Sequence, residues 1–341
     1  MIVSFEQFNN REIEKPMKST AVAPSNIAFI KYWGRKDEAL RLPGNGSISM
    51  NLSNLLTTTT VEFNPDFKED LVIINGEKEE DEGSRVIKHL DRIRKLAKIS
   101  HKAKVVTKNN FPTGTGLSSS ASGFAALTLA ASNAASLELS EKELSILARQ
   151  GSGSACRSIP DGFVEWLDGD SNETSYAVSL FPQEYWNIAD VVAIVSKNKK
   201  EVSTTEGQKL AKSSPFFPVR LAGIKAKIQL IKKYMEEKNF PLFGDLVEQE
   251  ALELHAVMLT STPSLIYWLP GTLKVMHAVK RWRKEGLQVY FTLNTGQDIH
   301  LICQKKDVEK VLKKAKEISD VKKTTINFLS KGARIMSEDL F

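Results

Sequence analysis

Residues 109–123 read Asn-Asn-Phe-Pro-Thr-Gly-Thr-Gly-Leu-Ser-Ser-Ser-Ala-Ser-Gly. Pro112 closes an extended approach, and Gly114 and Gly116 permit backbone conformations closed to bulkier residues. Leu117 and the hydroxyl row Ser118, Ser119 and Ser120 then lead into the small-residue run Ala121 to Ala131, which reads as a buried helix. A glycine-rich turn feeding a helix N-terminus gathers unpaired N–H groups and the positive end of the helix dipole at one point, an arrangement that suits phosphate. No Gly-Lys-Ser/Thr follows, so the loop is not of the Walker type. The plain alternative is a tight turn before a core helix.

Upstream, Ala103–Asn109 reads as a strand running into this loop, and Ser84–Lys98 as an amphipathic helix. Ser19–Trp33 and the Thr-rich, alternating Ile48–Asn64 read as strands, and Leu71–Gly76 ends in an Asn-Gly hairpin signal. Downstream, Ser140 with Glu143 forms a capping box that opens a helix, and Phe163–Trp166 and Tyr176–Leu180 read as strands. Polar stretches at 168–175 and 182–187 then give way to a new apolar strand, Ala189–Ser196. A helix-rich stretch, Pro215–Thr260, follows, with a further helix at Leu273–Lys284. Strands Val289–Leu293 and His300–Cys303, a helix after Lys305 and a last strand near Thr325–Leu329 complete an α+β pattern. The boundary falls near residue 185, giving domains 1–185 and 186–341.

The chain has 341 residues, 41% of them hydrophobic, enough for two domains. No apolar run reaches the roughly 18 residues of a membrane span, and Met1 to Lys18 lacks a signal-peptide apolar core, so no membrane partner is expected. The two cysteines, Cys156 and Cys303, have no partners at metal-ligand spacing, and a cytoplasmic chain with reduced thiols is the simplest reading. A formal net charge of +6 favours anionic partners. The lysines are scattered along amphipathic helices such as Ser84–Lys98 and Lys305–Ile318, not clustered with aromatics, which argues for a small polyanion and against nucleic acid.

Three further segments are polar where a bare fold does not require it. Ala23-Pro24-Ser25-Asn26-Ile27-Ala28-Phe29-Ile30-Lys31-Tyr32-Trp33-Gly34-Arg35-Lys36 puts cations and a phenol at a strand exit, though an exposed basic turn would look the same. Gly151-Ser152-Gly153-Ser154-Ala155-Cys156-Arg157-Ser158 offers hydroxyls, amides and a guanidinium that could encircle and clamp an anion, with a flexible linker as the alternative. Val202-Ser203-Thr204-Thr205-Glu206-Gly207 is a hydroxyl cluster or a plain helix cap.

Taken in this order, with Met258-Leu259-Thr260-Ser261-Thr262-Pro263-Ser264-Leu265-Ile266-Tyr267-Trp268, these segments resemble the mevalonate diphosphate decarboxylases of the GHMP kinase superfamily from about residue 19 to the C-terminus. The resemblance implies a two-domain, GHMP-kinase-like α+β fold with the active-site cleft between the domains, and a homodimer. It implies an ATP-dependent decarboxylase of phosphorylated mevalonate, with the 5-diphosphate as first substrate. The tertiary hydroxyl is phosphorylated, and phosphate and carbon dioxide then leave to give isopentenyl diphosphate. On this resemblance Pro112, Gly114, Gly116, Leu117, Ser118, Ser119 and Ser120 hold the phosphates of ATP, with Mg²⁺ at Ser119. Lys31 neutralises charge near the transferring group. Ala23, Tyr32, Arg35, Ser152 and Gly153 bind substrate together with Ser154, and Arg157 fixes the carboxylate that departs. Arg35 and Lys36 would meet the phosphate tail.

The family's remaining catalytic residue is an aspartate, and here Tyr290-Phe291-Thr292-Leu293-Asn294-Thr295-Gly296-Gln297-Asp298 puts Asn294 at its position and Asp298 at that of a family asparagine. A neutral amide can hydrogen-bond a hydroxyl but takes no proton. Four readings stay open: a variant inactivated to trap ligands, Asp298 supplying the carboxylate across the turn, direct proton transfer to phosphate, or a substrate already phosphorylated on that hydroxyl. The last would be mevalonate 3,5-bisphosphate, decarboxylated without ATP; mevalonate 5-phosphate is another candidate. A kinase that stops after phosphorylation and a binding protein that kept only the nucleotide site are the remaining alternatives. Gly46 and Asn51 depart from residues common in the family. His255 reads as a satisfied core residue, and His300 as a strand-end position near the altered turn.

Overall fold

Pro24 interrupts the longest ladder in the protein, and the interruption shapes the site. In the computed structural model, which describes residues 17–78, 81–114 and 116–341, β1 (Met17–Ile30) runs antiparallel to a long partner, Ser47–Asn64. Their register holds from Met17↔Phe63 to Pro24↔Leu56, breaks, and resumes at Asn26↔Asn51. Proline has no N–H to give to a ladder, so the break falls where the chemistry requires it. Residues 1–16 and Thr115 of the glycine turn, both read from sequence above, lie outside the described residues.

After β1 come the short pair β2 (Arg35–Asp37) and β3 (Leu42–Pro43), the long β4 (Ser47–Asn64), and β5 (Leu71–Ile74) joined to β6 (Glu77–Lys78). Helix α1 (Asp81–Ala97), β7 (Lys102–Asn109), α2 (Ser119–Ala134), α3 (Glu141–Gly151), β8 (Phe163–Trp166) and β9 (Ala177–Phe181) complete this half. Asn75 and Gly76 turn between β5 and β6 with positive φ, as the Asn-Gly signal predicts. The capping box at Ser140 and Glu143 is present. Helix α2 is buried along most of its length, and Ala121, Ala125, Ala126, Ala130 and Ala131 let it lie close on β1 and β4.

The second half begins with β10 (Ile188–Ile194), followed by α4 (Thr204–Leu210), α5 (Phe217–Glu236), α6 (Phe240–Leu259) and α7 (Pro270–Lys284). Then come β11 (Val289–Thr292), β12 (Ile299–Gln304), α8 (Val308–Lys316) and β13 (Lys323–Phe328). The four strands form an antiparallel sheet in the order β11-β12-β10-β13. One apolar cluster joins the halves: Ile27, Phe29 and Ile48 pack with Phe240, Phe243 and Val247, and the Phe29 and Phe243 rings meet edge-on at 4.9 Å.

Two features were not expected from sequence. The β2–β3 pair is too short to carry a periodic signal. Beyond the strand predicted near Thr325–Leu329 lies another, β14 (Arg334–Met336), which crosses back to pair with Thr20–Val22 on β1. All three of its residues are exposed, so no burial pattern marks it. Among the described residues no helix is long and apolar enough to cross a membrane.

Candidate functional site

A cleft of about 740 Å³ opens between the two halves. One wall is the glycine turn. Ser118 sits in the left-handed region (φ 57°, ψ 35°) at the head of α2 and makes no side-chain cap, and no acidic residue stands in the first helical turn. The positive end of the helix therefore faces the cleft without an internal anion. Gly114, Gly116, Ser118, Ser119 and Ser120 line the cleft. Leu117 and Pro112 do not: Leu117 is buried in the core and its carbonyl accepts the Ser25 hydroxyl at 2.5 Å, which anchors the turn from behind.

The second half closes on this turn directly. Gly116 has φ 107°, and a Cβ there would lie 2.7 Å from Gly296 Cα. The Lys200 amide donates to Gly114 O at 3.1 Å. The Lys200 ammonium is held by Thr204 Oγ1 (2.6 Å) and Thr295 O (2.6 Å), and burial pulls its pKa down to about 8. Asn294 Nδ2 donates to Ser118 Oγ at 2.9 Å.

Beside the glycine turn lies the segment after α3, which folds as a 3₁₀ turn over Gly153–Ser158 and reaches it from Ser152 Oγ to Ser120 Oγ at 3.3 Å. It carries Arg157, 4% exposed. Arg157 donates through Nε to Ser49 Oγ (3.1 Å), through one terminal nitrogen to Ser47 Oγ (2.7 Å), and through the other to Asn26 Oδ1 (3.1 Å). Every one of these partners is neutral. Ser152, Gly153 and Ser154 line the cleft beside it. Tyr32 packs edge-on against Trp166 at 4.6 Å and accepts from Arg35 Nε at 2.9 Å. Arg35, Arg41 and Arg85 all face this end of the cleft. Burial, then the charges of Arg35 and Arg85, pull the Arg41 pKa down to about 10, so this end holds more positive charge than it compensates.

The same cleft is lined by Lys31, 1% exposed. Its side-chain nitrogen Nζ donates to Ala28 O (2.5 Å) and to Asn294 Oδ1 (3.4 Å). Burial holds its pKa well below the ordinary lysine range; Glu250 opposes this, while Arg157 and Arg220 add to it. Behind Lys31 the fully buried Glu250 accepts from the Lys31 amide (3.1 Å), Arg220 (2.9 Å) and Lys227 (2.8 Å). Burial alone would raise the Glu250 pKa, but Arg220 and Lys227 outweigh it and hold the carboxyl below its usual range.

Some expected residues are placed elsewhere. Ala23 is buried in the core of the first half, paired with Thr57, and does not line the cleft; Ala28, further along β1, does. Lys36 turns to solvent and binds Asp170 at 2.7 Å, so it does not join Arg35 in the cleft. Asp298 is turned away, accepting from the Val195 amide at 3.0 Å, and His300 is buried against Asp190 at 2.9 Å. Neither lines the cleft. His255 is buried as expected, stacks on Trp268, and donates to Asn294 O at 3.1 Å. Burial drops its pKa to about 3, so it is neutral. Ser203 and Glu206 form a helix cap, the plainer of the two readings, while still bordering the cleft.

Sequence reasoning missed Arg41, Arg85, Lys200 and Glu250. Glu250 did leave a signal, because it interrupts the apolar row Phe243, Val247, Leu254, Met258 along α6. The donors around the glycine turn are hydroxyls and amides. Among the described residues no three His, Cys, Asp or Glu side chains gather as a metal site. The set fits a divalent ion that arrives bound to phosphate oxygens, with Ser119 as the hydroxyl beside it.

Two family models match the chain: the diphosphomevalonate decarboxylase-like N-terminal domain over residues 23–177, and the mevalonate 5-diphosphate decarboxylase C-terminal domain over 190–339. The diphosphomevalonate decarboxylase of Candida albicans is 36% identical over 312 residues, covering 86% of each chain. The phosphomevalonate decarboxylase of Haloferax volcanii is 34% identical over 297 residues, 86% of this chain and 91% of that one. Mevalonate diphosphate decarboxylase from Staphylococcus aureus superposes with a TM-score of 0.91 at 36% identity, covering 96% of this chain and all of its own. A structure described as MDDEF in complex with MVAPP, AMPPCP and magnesium superposes with a TM-score of 0.89 at 35% identity, covering 94% and 99%.

Proposed function

Because the chain belongs to the diphosphomevalonate decarboxylase family, we infer that it is a carboxy-lyase performing ATP-dependent decarboxylation of mevalonate 5-diphosphate to isopentenyl diphosphate. The observation that carries this reading is Arg157, a buried guanidinium with only neutral hydrogen-bond partners, lining the same cleft as a helix N-terminus. A substrate carboxylate on Arg157 and ATP phosphates on the glycine turn would put the tertiary hydroxyl between them, beside Lys31. Phosphoryl transfer needs positioning and charge neutralisation more than covalent help.

In this reading Gly114, Gly116, Ser118, Ser119 and Ser120 hold the ATP phosphates, and Lys200 and Lys31 approach them from the other side. Mg²⁺, held through the phosphates and Ser119, would neutralise charge on the transferring group. Tyr32, Ser152, Gly153 and Ser154 position the substrate. Arg35, Arg41 and Arg85 receive its phosphate tail, and three guanidiniums favour a diphosphate over a monophosphate. We place the domain boundary near residue 185, between β9 and β10, and propose a homodimer as the assembly. Cys156 and Cys303 are free, and burial pushes both thiols up to about 12; this suits the reducing cytoplasm that we propose as the compartment.

The Haloferax volcanii relative is a phosphomevalonate decarboxylase at similar identity, which makes the 5-phosphate the second substrate to test. Mevalonate 5-diphosphate, 5-phosphate and 3,5-bisphosphate should each be assayed with and without ATP-Mg²⁺, following ADP and carbon dioxide together. Equal ADP and carbon dioxide from the diphosphate is expected, with a lower kcat/KM for the 5-phosphate. Carbon dioxide from the bisphosphate alone, without ADP, would overturn the coupled reaction.

The fit of Gly116 against Gly296 gives a second test. Gly116→Ala is expected to weaken ATP binding about tenfold, equivalent to roughly 1.4 kcal/mol, because the new methyl strains the turn and pushes the halves apart. Calorimetric titration with ATP reads this directly; an unchanged Kd would mean that the loop can shift without losing its phosphate contacts.

A further inference from the structure

Asn294 is an amide, and its orientation is set. Nδ2 donates to Ser118 Oγ (2.9 Å) and Asn26 O (3.4 Å), which leaves Oδ1 facing the Lys31 amine at 3.4 Å. The nearby carboxylates are otherwise engaged. Glu250 takes hydrogen bonds from the Lys31 amide, Arg220 and Lys227. Asp298 accepts from the Val195 amide, and Asp190 binds His300. Glu206 is tied into the cap of α4 and Glu201 stands exposed at the cleft edge. Among the described residues, the hydrogen bonds of Lys31 Nζ and of the Asn294 side chain all go to neutral groups.

Lys31 Nζ has two acceptors, Ala28 O and Asn294 Oδ1. A neutral amine has two N–H groups and one lone pair. With both N–H groups placed on these acceptors, the lone pair is left for the cleft, which Lys31 lines.

We propose that the Lys31 amine is the proton acceptor of the first half-reaction and the proton donor of the second, with Asn294 as its positioning residue; this rests on the function inferred above. As the tertiary O–H bond breaks, its proton goes to Nζ and the oxygen's electron pair forms the bond to the γ-phosphorus of ATP. The bond from that phosphorus to ADP breaks with its pair on ADP. In the second half-reaction the C–O bond breaks with its pair on the departing phosphate. The carbon–carbon bond to the carboxylate breaks and its pair becomes the new double bond. The Lys31 ammonium gives its proton to the phosphate and returns to the amine. No co-reactant beyond ATP is needed.

The charged surroundings are mixed. Arg157 and Arg220 disfavour the ammonium, Glu250 on α6 and Asp190 on β10 favour it, and His255 is neutral. Burial decides the balance toward the amine. An aspartate at 294 would put a carboxylate beside Nζ and hold it protonated. The amide is therefore what lets Lys31 give up its proton.

The test follows the Lys31 side chain by NMR in enzyme carrying labelled lysine, with Lys31→Arg to assign the signal, alongside kcat for ADP release across about pH 6 to 9. In the wild type Lys31 should titrate below the ordinary lysine range, with kcat falling about tenfold per pH unit below its midpoint. Asn294→Asp should move the lysine titration upward, and, because the new carboxylate then accepts the hydroxyl proton in place of the protonated lysine, the acid limb of kcat downward. Lys31→Arg, which is charged throughout and accepts no proton, should lose about 10²–10⁴-fold in ADP release. If Lys31→Arg does not fold, the wild-type titration and the Asn294→Asp comparison still decide. A wild-type lysine that stays protonated throughout, or an Arg variant active within about tenfold, overturns this role and leaves the decarboxylase reading standing. No ADP or carbon dioxide from any of the three substrates overturns the decarboxylase reading, and this role with it.

Discussion

Replacing Arg157 with alanine is expected to lower carbon dioxide release by about 10²–10³-fold while leaving ATP affinity within about threefold of wild type. The guanidinium is buried and spends its hydrogen bonds on Ser47, Ser49 and Asn26, none of which balances its charge. Burial lowers its pKa, yet an arginine remains charged at any ordinary pH. A buried cation without a counter-charge costs stability, and in the proposed function a bound substrate carboxylate would supply the missing charge. Removing Arg157 should therefore cost the reaction far more than the fold. Single-turnover assays of ADP and carbon dioxide separate the two steps: ADP formation should survive better than carbon dioxide release. An unchanged carbon dioxide rate would mean that the carboxylate is held elsewhere. Arg157→Lys should fall between the two, since it keeps the charge and loses the planar fork that holds all three neighbours.

Glu250→Ala should destabilise the protein by about 3–5 kcal/mol, because it leaves Arg220 in the interior without its carboxylate and Lys227 with Glu253 alone. Arg220 is 2% exposed at its side chain and Lys227 15%. Arg220 also donates to Lys31 O at 2.8 Å, so its loss of a partner loosens the end of β1 where Lys31 begins. The same carboxyl sets an acid limit. Its folded pKa lies below its unfolded value, so its contribution is complete above the ordinary glutamate range and is lost as pH falls through the depressed folded value. Calorimetry from about pH 7 down to 3 should show a falling Tm in the wild type and a flatter profile in Glu250→Gln. Equal profiles would assign the acid limb to other carboxylates.

Much of this was legible from sequence because it is local. The strand before the glycine turn, the small-residue helix after it and the two capping boxes follow from periodicity and from residues three or four apart. Lys31, Arg157 and Asn294 were singled out because each sits in a motif that resembles the family's, and all three line the cleft. What stayed hidden is convergence. Arg41 and Arg85 belong to unremarkable polar stretches, and nothing local says that they meet Arg35. Asn294 reaches Ser118 across 176 positions, and the touching of Gly116 and Gly296 is visible only once both halves are folded. Ala23 was assigned to the site on its motif alone; a β-strand alternates its faces, and this position belongs to the core. Lys36 and Asp298 carried suitable charge, but each found a nearer partner on its own side of the fold.

The last strand has a consequence for how the protein is made. β14 pairs with Thr20, Ala21 and Val22 near the chain's start, and Asp339 binds the Thr20 hydroxyl at 2.6 Å. The partner of this edge leaves the ribosome only after residue 336 has been made, long after β1 itself. Until then β1 presents open amides and carbonyls to the crowded cell, and a nascent chain stalled before residue 334 carries an unguarded sheet margin. Messages truncated before residue 334 should therefore yield aggregates instead of shortened enzyme.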